Sequence, residues 1–239
     1  MSEPQAAATV MIARQHAAGI ELFMLRRSSR SAFMPDVFVF PGGRVEPGDR
    51  SADALRRLAG TAAAAGAGAA HVYAAARETF EECGLLFSTA PVAAHELAAA
   101  RTRLCGGTQS FADMLDELRV RIDAGALRYF SRWITPPGEA RRFDTRFFAA
   151  RAPRAQVALA DAGETHDGIW IAPRDALTRY AAGSFALILP TIKHLERVSA
   201  FDSVDALLTY AASKPIHPVM PDLDGAHAFR IPPALENVW

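Results

Sequence analysis

Glu78, Glu81 and Glu82 stand close together in the chain, and on a helix their i, i+3 and i, i+4 spacing sets all three on one face. Like charges so placed repel by a few tenths of a kcal/mol. A hard divalent cation removes the conflict, since Mg²⁺ takes carboxylate oxygens, keeps several waters and suits a site that also holds substrate phosphates. The competing reading is a solvated acidic helix face. Gly84 follows as the expected left-handed stop, which puts the three acids in the last turns of a defined helix.

The elements before that helix must position it. Residues 37–40, Val-Phe-Val-Phe, read as a short buried strand, and Pro41, Gly42 and Gly43 end it. Glycine there predicts a turn through which the backbone approaches a ligand closely. Arg26, Arg27 and Arg30 precede this strand and are either a solvated basic loop or a grip for a diphosphate.

With these residues in view, the chain resembles the Nudix hydrolase superfamily. Its box reads Gly, five residues, Glu, seven residues, then Arg-Glu-aliphatic-any-Glu-Glu-any-Gly-aliphatic. Gly43 opens the box here, and Arg77, Glu78, Thr79, Phe80, Glu81, Glu82, Cys83, Gly84 and Leu85 close it. Asp49 takes the first acidic position and Thr79 the aliphatic one, while residues 50–76 supply 27 residues in place of seven, an excess of 27 − 7 = 20. The flanking Leu25-Arg26-Arg27-Ser28, Phe33-Met34-Pro35 and Asp49-Arg50-Ser51 resemble the long-insert branch that includes a peroxisomal coenzyme A diphosphatase.

The resemblance implies an α/β/α sandwich with a central mixed sheet, a helical insertion at 50–76 and an additional helical segment. It implies metal-dependent hydrolysis of the diphosphate bond in a nucleoside diphosphate linked to another moiety, with coenzyme A or acyl-coenzyme A as first substrate. ADP-ribose or a dinucleotide is the alternative substrate, and a nucleotide sensor without hydrolysis the alternative class; a sensor usually loses carboxylates that this box keeps. Mg²⁺ or Mn²⁺ would be held by Glu78, Glu81 and Glu82. Arg77 would orient the carboxylates, Asp49 would contribute more weakly, the Gly42-Gly43 backbone would lie against substrate or metal, and Arg27 would contact the substrate. The general base stays open among Glu81, Glu78 and Glu164, the last matching an acid that relatives place just before a strand bearing Trp, here Trp170, as a base or a further metal carboxylate, with Asp167 as the fallback. For coenzyme A, the arginines at 26–30 and the apolar helix near 111–118 are the segments expected to take the phosphate and the pantetheine arm.

At 239 residues, half of them apolar, the chain fits one elaborated domain. Basic and acidic residues number 26 each, so no basic stripe points to nucleic acid. Two cysteines without metal spacing exclude a disulfide framework. The apolar run at 10–13 is too short for a membrane span, and Asn237-Val238-Trp239 differs from the peroxisomal Ser-Lys-Leu address, so a cytoplasmic location is expected. Along the chain we expect a loose tail at 1–8, a hairpin from 9–14 and 20–26, a helix at 52–59, helices at 92–103 and 110–123, strands at 128–134 and 143–150, and, by resemblance to the family, a strand, proline turn and helix over 185–195. The Pro-rich stretch 215–239 would wrap the domain or a partner subunit, with a homodimer among the expected arrangements.

Overall fold

Apolar residues run almost unbroken from Ala6 to Ala13, the pattern of a strand covered on both faces. In the computed structural model, which describes residues 3–29, 34–60, 66–160, 165–223 and 229–239, this run lies in β1 (Gln5–His16). Ala8, Val10 and Ile12 pack on one side and Met11 and Ala13 on the other. It turns into β2 (Gly19–Arg27), which is followed by β3 (Phe38–Val39) and β4 (Gly42–Arg44). Next come α1 (Ala52–Leu55), β5 (Leu58–Ala59) and the long α2 (Ala69–Cys83). Helices α3 (Ala94–Cys105) and α4 (Phe111–Glu117) lead to β6 (Ile122–Asp123), β7 (Arg128–Ile134), β8 (Phe143–Arg151) and β9 (Thr165–Ile171). The chain then runs through α5 (Pro173–Ala181), α6 (Leu189–Val198), α7 (Val204–Ser213), β10 (Pro218–Val219), β11 (Asp222–Leu223) and β12 (Phe229–Arg230).

Among the described residues eight strands form one mixed sheet in the order β10-β7-β8-β1-β2-β3, with β4 joined to β1 and β9 to β2. The β1–β8 and β10–β7 pairs are parallel; β1–β2, β7–β8 and β2–β9 are antiparallel. One face carries α2 and α4 over Val10, Ile12, Phe23 and Phe148. The other carries α6 and α7 over Met11, Phe130 and Phe147. This is the α/β/α sandwich with a central mixed sheet that the resemblance implied. Each fully buried Phe contributes about 2–3 kcal/mol of transfer free energy, so the two apolar layers hold the sheet between them. Among the described residues no helix is long and apolar enough to cross a membrane.

Several local expectations change. Residues 5–8 are strand, not loose tail, because Ala7 and Ala8 are buried and pair with Arg44 and Gly43 on one side and Thr145 and Arg146 on the other. The helix expected at 52–59 stops after one turn. Leu58 and Ala59 instead pair in parallel with Ile122 and Asp123, and buried Arg57 between them bonds Asp53 and Asp116. Of the strand, proline turn and helix expected over 185–195, the helix forms as α6 with Pro190 in its first turn, whereas no strand precedes it: Phe185 stacks on Phe38 at 3.7 Å. The stretch after Pro215 does lie against the domain, with Val219 paired to β7 and Trp239 buried against Trp133.

Candidate active site

Ala, Arg and Glu, all strong helix formers, make up most of α2. Val72, Ala76, Phe80 and Cys83 form its buried stripe, so the acids are turned to the opposite side. Gly84 ends it at φ +70°, its N–H donating to Phe80 O at 2.9 Å. Arg101 of α3 then donates to Glu81 O through Nε at 3.0 Å and Nη2 at 2.9 Å, placing a cation at the negative end of the helix dipole.

Arg77 is the hub. Its Nε and Nη2 each donate at 2.9 Å to the two oxygens of Asp49. Its Nη1 donates to Glu78 at 3.0 Å and Glu81 at 2.9 Å, and Nη2 also reaches Arg44 O at 3.1 Å. Asp49 sits in a 3-10 turn, Pro47–Arg50, and also accepts from Glu46 N–H at 2.8 Å. Its side chain is 3 % exposed, so it anchors Arg77 from inside the protein. Burial opposes the Arg77 charge, yet the Asp49 hydrogen bond and the charges of Glu78 and Glu81 hold it above the ordinary arginine range. For Glu78 burial wins over Arg77 and lifts the carboxyl to about 7.

The glycines turn out to serve the protein's own groups. Gly42 and Gly43 belong to β4, where the expected turn gives way to strand pairing with Thr9 and Ala8. A Cβ on Gly42, at φ +154°, would lie 2.6 Å from Thr9 Cα. On Gly43 it would lie 2.6 Å from Glu78 Oε2. Gly42 N–H donates to Glu82 Oε2 at 2.8 Å. The pair therefore seats two of the three carboxylates.

Of the remaining candidates, Arg27 ends β2, where its N–H meets Val37 O at 3.0 Å; it is placed by the sheet edge rather than by α2. Arg26 bonds Asp36 at 2.9 Å. Glu164 and Arg30 lie outside the described residues. The helix at 111–118 is not a wall for a substrate arm: Phe111, Met114 and Leu115 are buried, with Phe111 5.5 Å from the Tyr73 ring and 6.2 Å from that of Phe80. Arg101 was not anticipated, and no local signal marks it, because α3 meets α2 only through the tertiary fold.

Among the described residues no three His, Cys, Asp or Glu side chains converge as a ready metal cage. As placed, Glu78 and Glu81 turn toward Arg77 and Glu82 toward Gly42 N–H. The donor set still fits a hard cation. It consists of carboxylates alone, the donor chemistry a hard cation takes, and burial followed by the neighbouring Glu81 charge raises Glu78 against the pull of Arg77.

A family model described as the NUDT19 Nudix domain matches residues 67–198. The acyl-coenzyme A diphosphatase NUDT19 of Gallus gallus is 31% identical, over 81% of this chain and 65% of that protein. The Homo sapiens protein of the same name is 28% identical, over 80% and 64%. The chain thus spans a little under two thirds of the length of these curated relatives. Among solved structures, a NUDIX hydrolase from Alicyclobacillus acidocaldarius superposes with a TM-score of 0.76 at 30% identity, covering 87% of this chain and 97% of that one.

Proposed function

The chain belongs to the Nudix hydrolase family, in the group of the NUDT19 Nudix domain, and from that premise we propose that it cleaves the diphosphate bond of coenzyme A or an acyl-coenzyme A. The observation that carries this reading is the Arg77 hub, which binds Asp49 from behind and holds Glu78 and Glu81 in front. In this reading residues 1–239 form one Nudix domain, and 50–76 are an insertion inside its box.

A diphosphate resists attack because its oxygens repel an incoming water. Mg²⁺ or Mn²⁺, held by Glu78, Glu81 and Glu82, would neutralise that charge and acidify the water. The chain's own residues do the positioning. Arg77 limits the motion of Glu78 and Glu81, and Gly42 N–H holds Glu82, so the acids are kept beside one another and would turn from these partners to hold a cation. Glu78 and Glu81 are the described candidates for accepting the water's proton, and Glu164 is the third. Arg27 is the candidate contact for a substrate phosphate.

The test is a hydrolysis screen of coenzyme A, acyl-coenzyme A and ADP-ribose with each metal, resolving products by mass. The expected products from coenzyme A are adenosine 3′,5′-bisphosphate and phosphopantetheine. Faster cleavage of ADP-ribose would overturn the substrate assignment. Binding without product under either metal would overturn the hydrolase.

A further inference from the structure

The other end of α2 carries the opposite chemistry. No side chain caps its first turn, and no acidic residue stands there. The Ala69 and Ala70 N–H groups meet no acceptor among the described residues, whereas those of His71 and Val72 both donate to Gly68 O. Gly68 and Ala69 are exposed, so this end is open to solvent.

Arg146 of β8 reaches this end and donates to Ala67 O. It packs so closely that a Cβ on Gly68 would lie 2.7 Å from its Nη1. Its Nε is buried and has no hydrogen-bond partner among the described residues. Asp144, a carboxylate near Arg146, is taken by Arg132 through bonds of 2.8 and 2.6 Å. Arg146 therefore brings a positive charge with no carboxylate bonded to it among the described residues.

His71, in the first turn of the helix, supplies the second observation. It is 8% exposed, yet its ring makes no hydrogen bond among the described residues. The ring faces the same place: a Cβ on Gly68 would lie 3.5 Å from its Nδ1. Burial, then the charges of Arg146 and Arg50, push His71 down to about 4, so at neutral pH it offers one N–H donor. Buried polar groups are normally satisfied, and a helix N-terminus favours an anion.

We infer that Arg146, His71 and the first-turn N–H groups of α2 form a binding site for a phosphate monoester. A tetrahedral dianion has free oxygens enough to meet a guanidinium, an imidazole and two amides approaching from different sides. The site is separate from the carboxylates, because ten residues of helix between Gly68 and Glu78 span about 15 Å. It nevertheless shares their face of the sheet: Arg146 pairs with Ala8, and Ala8 with Gly43. The phosphate is thus either a terminal group of the substrate, such as the 3′-phosphate of coenzyme A, or a free phosphate ester. The first of these rests on the proposed substrate; the second does not.

The experiment titrates the full chain with inorganic phosphate by calorimetry, without divalent cation so that the carboxylate centre does not contribute, and with chloride at equal ionic strength as control. Saturable phosphate binding is expected, weakened about tenfold in Arg146→Gln and less in Arg146→Lys. No saturable binding by the wild-type chain would overturn the site, as would wild-type affinity in a folded Arg146→Gln. This measurement needs no turnover, so its failure is distinct from failure of the proposed hydrolysis. KM for coenzyme A and for 3′-dephospho-coenzyme A then identifies the source. If Arg146→Gln raises only the former, the substrate's own phosphate binds there. If phosphate binding is lost while both KM values stay constant, the site takes a separate phosphate.

Discussion

Replacing Asp49 with Asn keeps the shape of the side chain and removes the charge that anchors Arg77. Asp49 accepts both Arg77 bonds at 2.9 Å and is nearly inaccessible to water, with Arg77 itself 13 % exposed. Two charges about 4 Å apart at an effective dielectric near 20 attract by about 4 kcal/mol. Removing one partner of a buried pair costs about 3–5 kcal/mol, because the other charge is left inside. Glu78 and Glu81 remain bonded to Arg77, so the lower end, about 3 kcal/mol, is the expectation for Asp49→Asn. In a domain of this size that lowers Tm by about 6–12 °C. The Asn amide also presents a donor to the guanidinium, so Arg77 shifts toward the glutamates and weakens their hold on a cation. Thermal unfolding by circular dichroism, with and without Mg²⁺, and kcat/KM on coenzyme A read the two effects. A Tm within 2 °C of wild type, together with unchanged kcat/KM, would refute the anchoring role.

Three further outcomes are expected. Glu82→Gln keeps an oxygen for Gly42 N–H and loses only charge, so Mg²⁺-dependent turnover should fall by about a hundredfold with little change in Tm; near-normal rates would remove Glu82 from the metal set. Thr79→Val replaces a buried hydroxyl that has no partner with an apolar group of the same shape, which should stabilise the chain by about 1 kcal/mol, or 2–4 °C in Tm; a lower Tm would show that the hydroxyl is bonded after all. His194 is enclosed by Phe147, Phe130, Trp133 and Trp239, with Nδ1–H donating to Pro190 O at 2.5 Å and Nε2 accepting from Ser131 Oγ at 2.6 Å. Burial pushes it down from 6.5 to about 3. Above pH 6.5 the ring is neutral folded or unfolded and its stabilisation is fully present. Between 6.5 and 3 only the unfolded chain takes the proton, so stability falls by about 1.4 kcal/mol per pH unit. Denaturant titrations at pH 7 and 4.5 should show a shallower decline in His194→Gln, and equal slopes would contradict the assignment.

The acidic helix was legible because everything that makes it is local: alanine-rich sequence, a glycine stop and carboxylates at helical spacing. Arg77 was legible for the same reason, since Glu78 and Glu81 are within one turn of it. What held the site in place was not. Asp49 lies 28 residues before Arg77, and nothing local shows that its buried side chain faces a guanidinium. The strand character of Gly42 and Gly43 depends on β1, whose pairing with both β4 and β8 cannot be read from either segment alone. Leu58 and Ala59 continue a helical pattern, yet pairing with Ile122 and Asp123 overrides it. Phe111, Met114 and Leu115 carried the right pattern for burial; only the packing against Tyr73 and Phe80 excludes them from the cleft.

The bond between Asp49 and Arg77 joins residues that flank the proposed insertion at 50–76. It closes that segment at its base. For a flexible segment the entropy of closing a loop rises only with the logarithm of its length, so growth from seven residues to 27 costs about 1.2 kcal/mol. One buried ion pair can outweigh that. Spacing inside the box is therefore free to vary while the two ends stay in register, and a segment of other length should be graftable between Ala59 and Gly68, ahead of α2, without moving the carboxylates. Recognition of such chains by a fixed count of residues fails for a reason rooted in polymer physics: the distance that holds the site is the one across the gap in space.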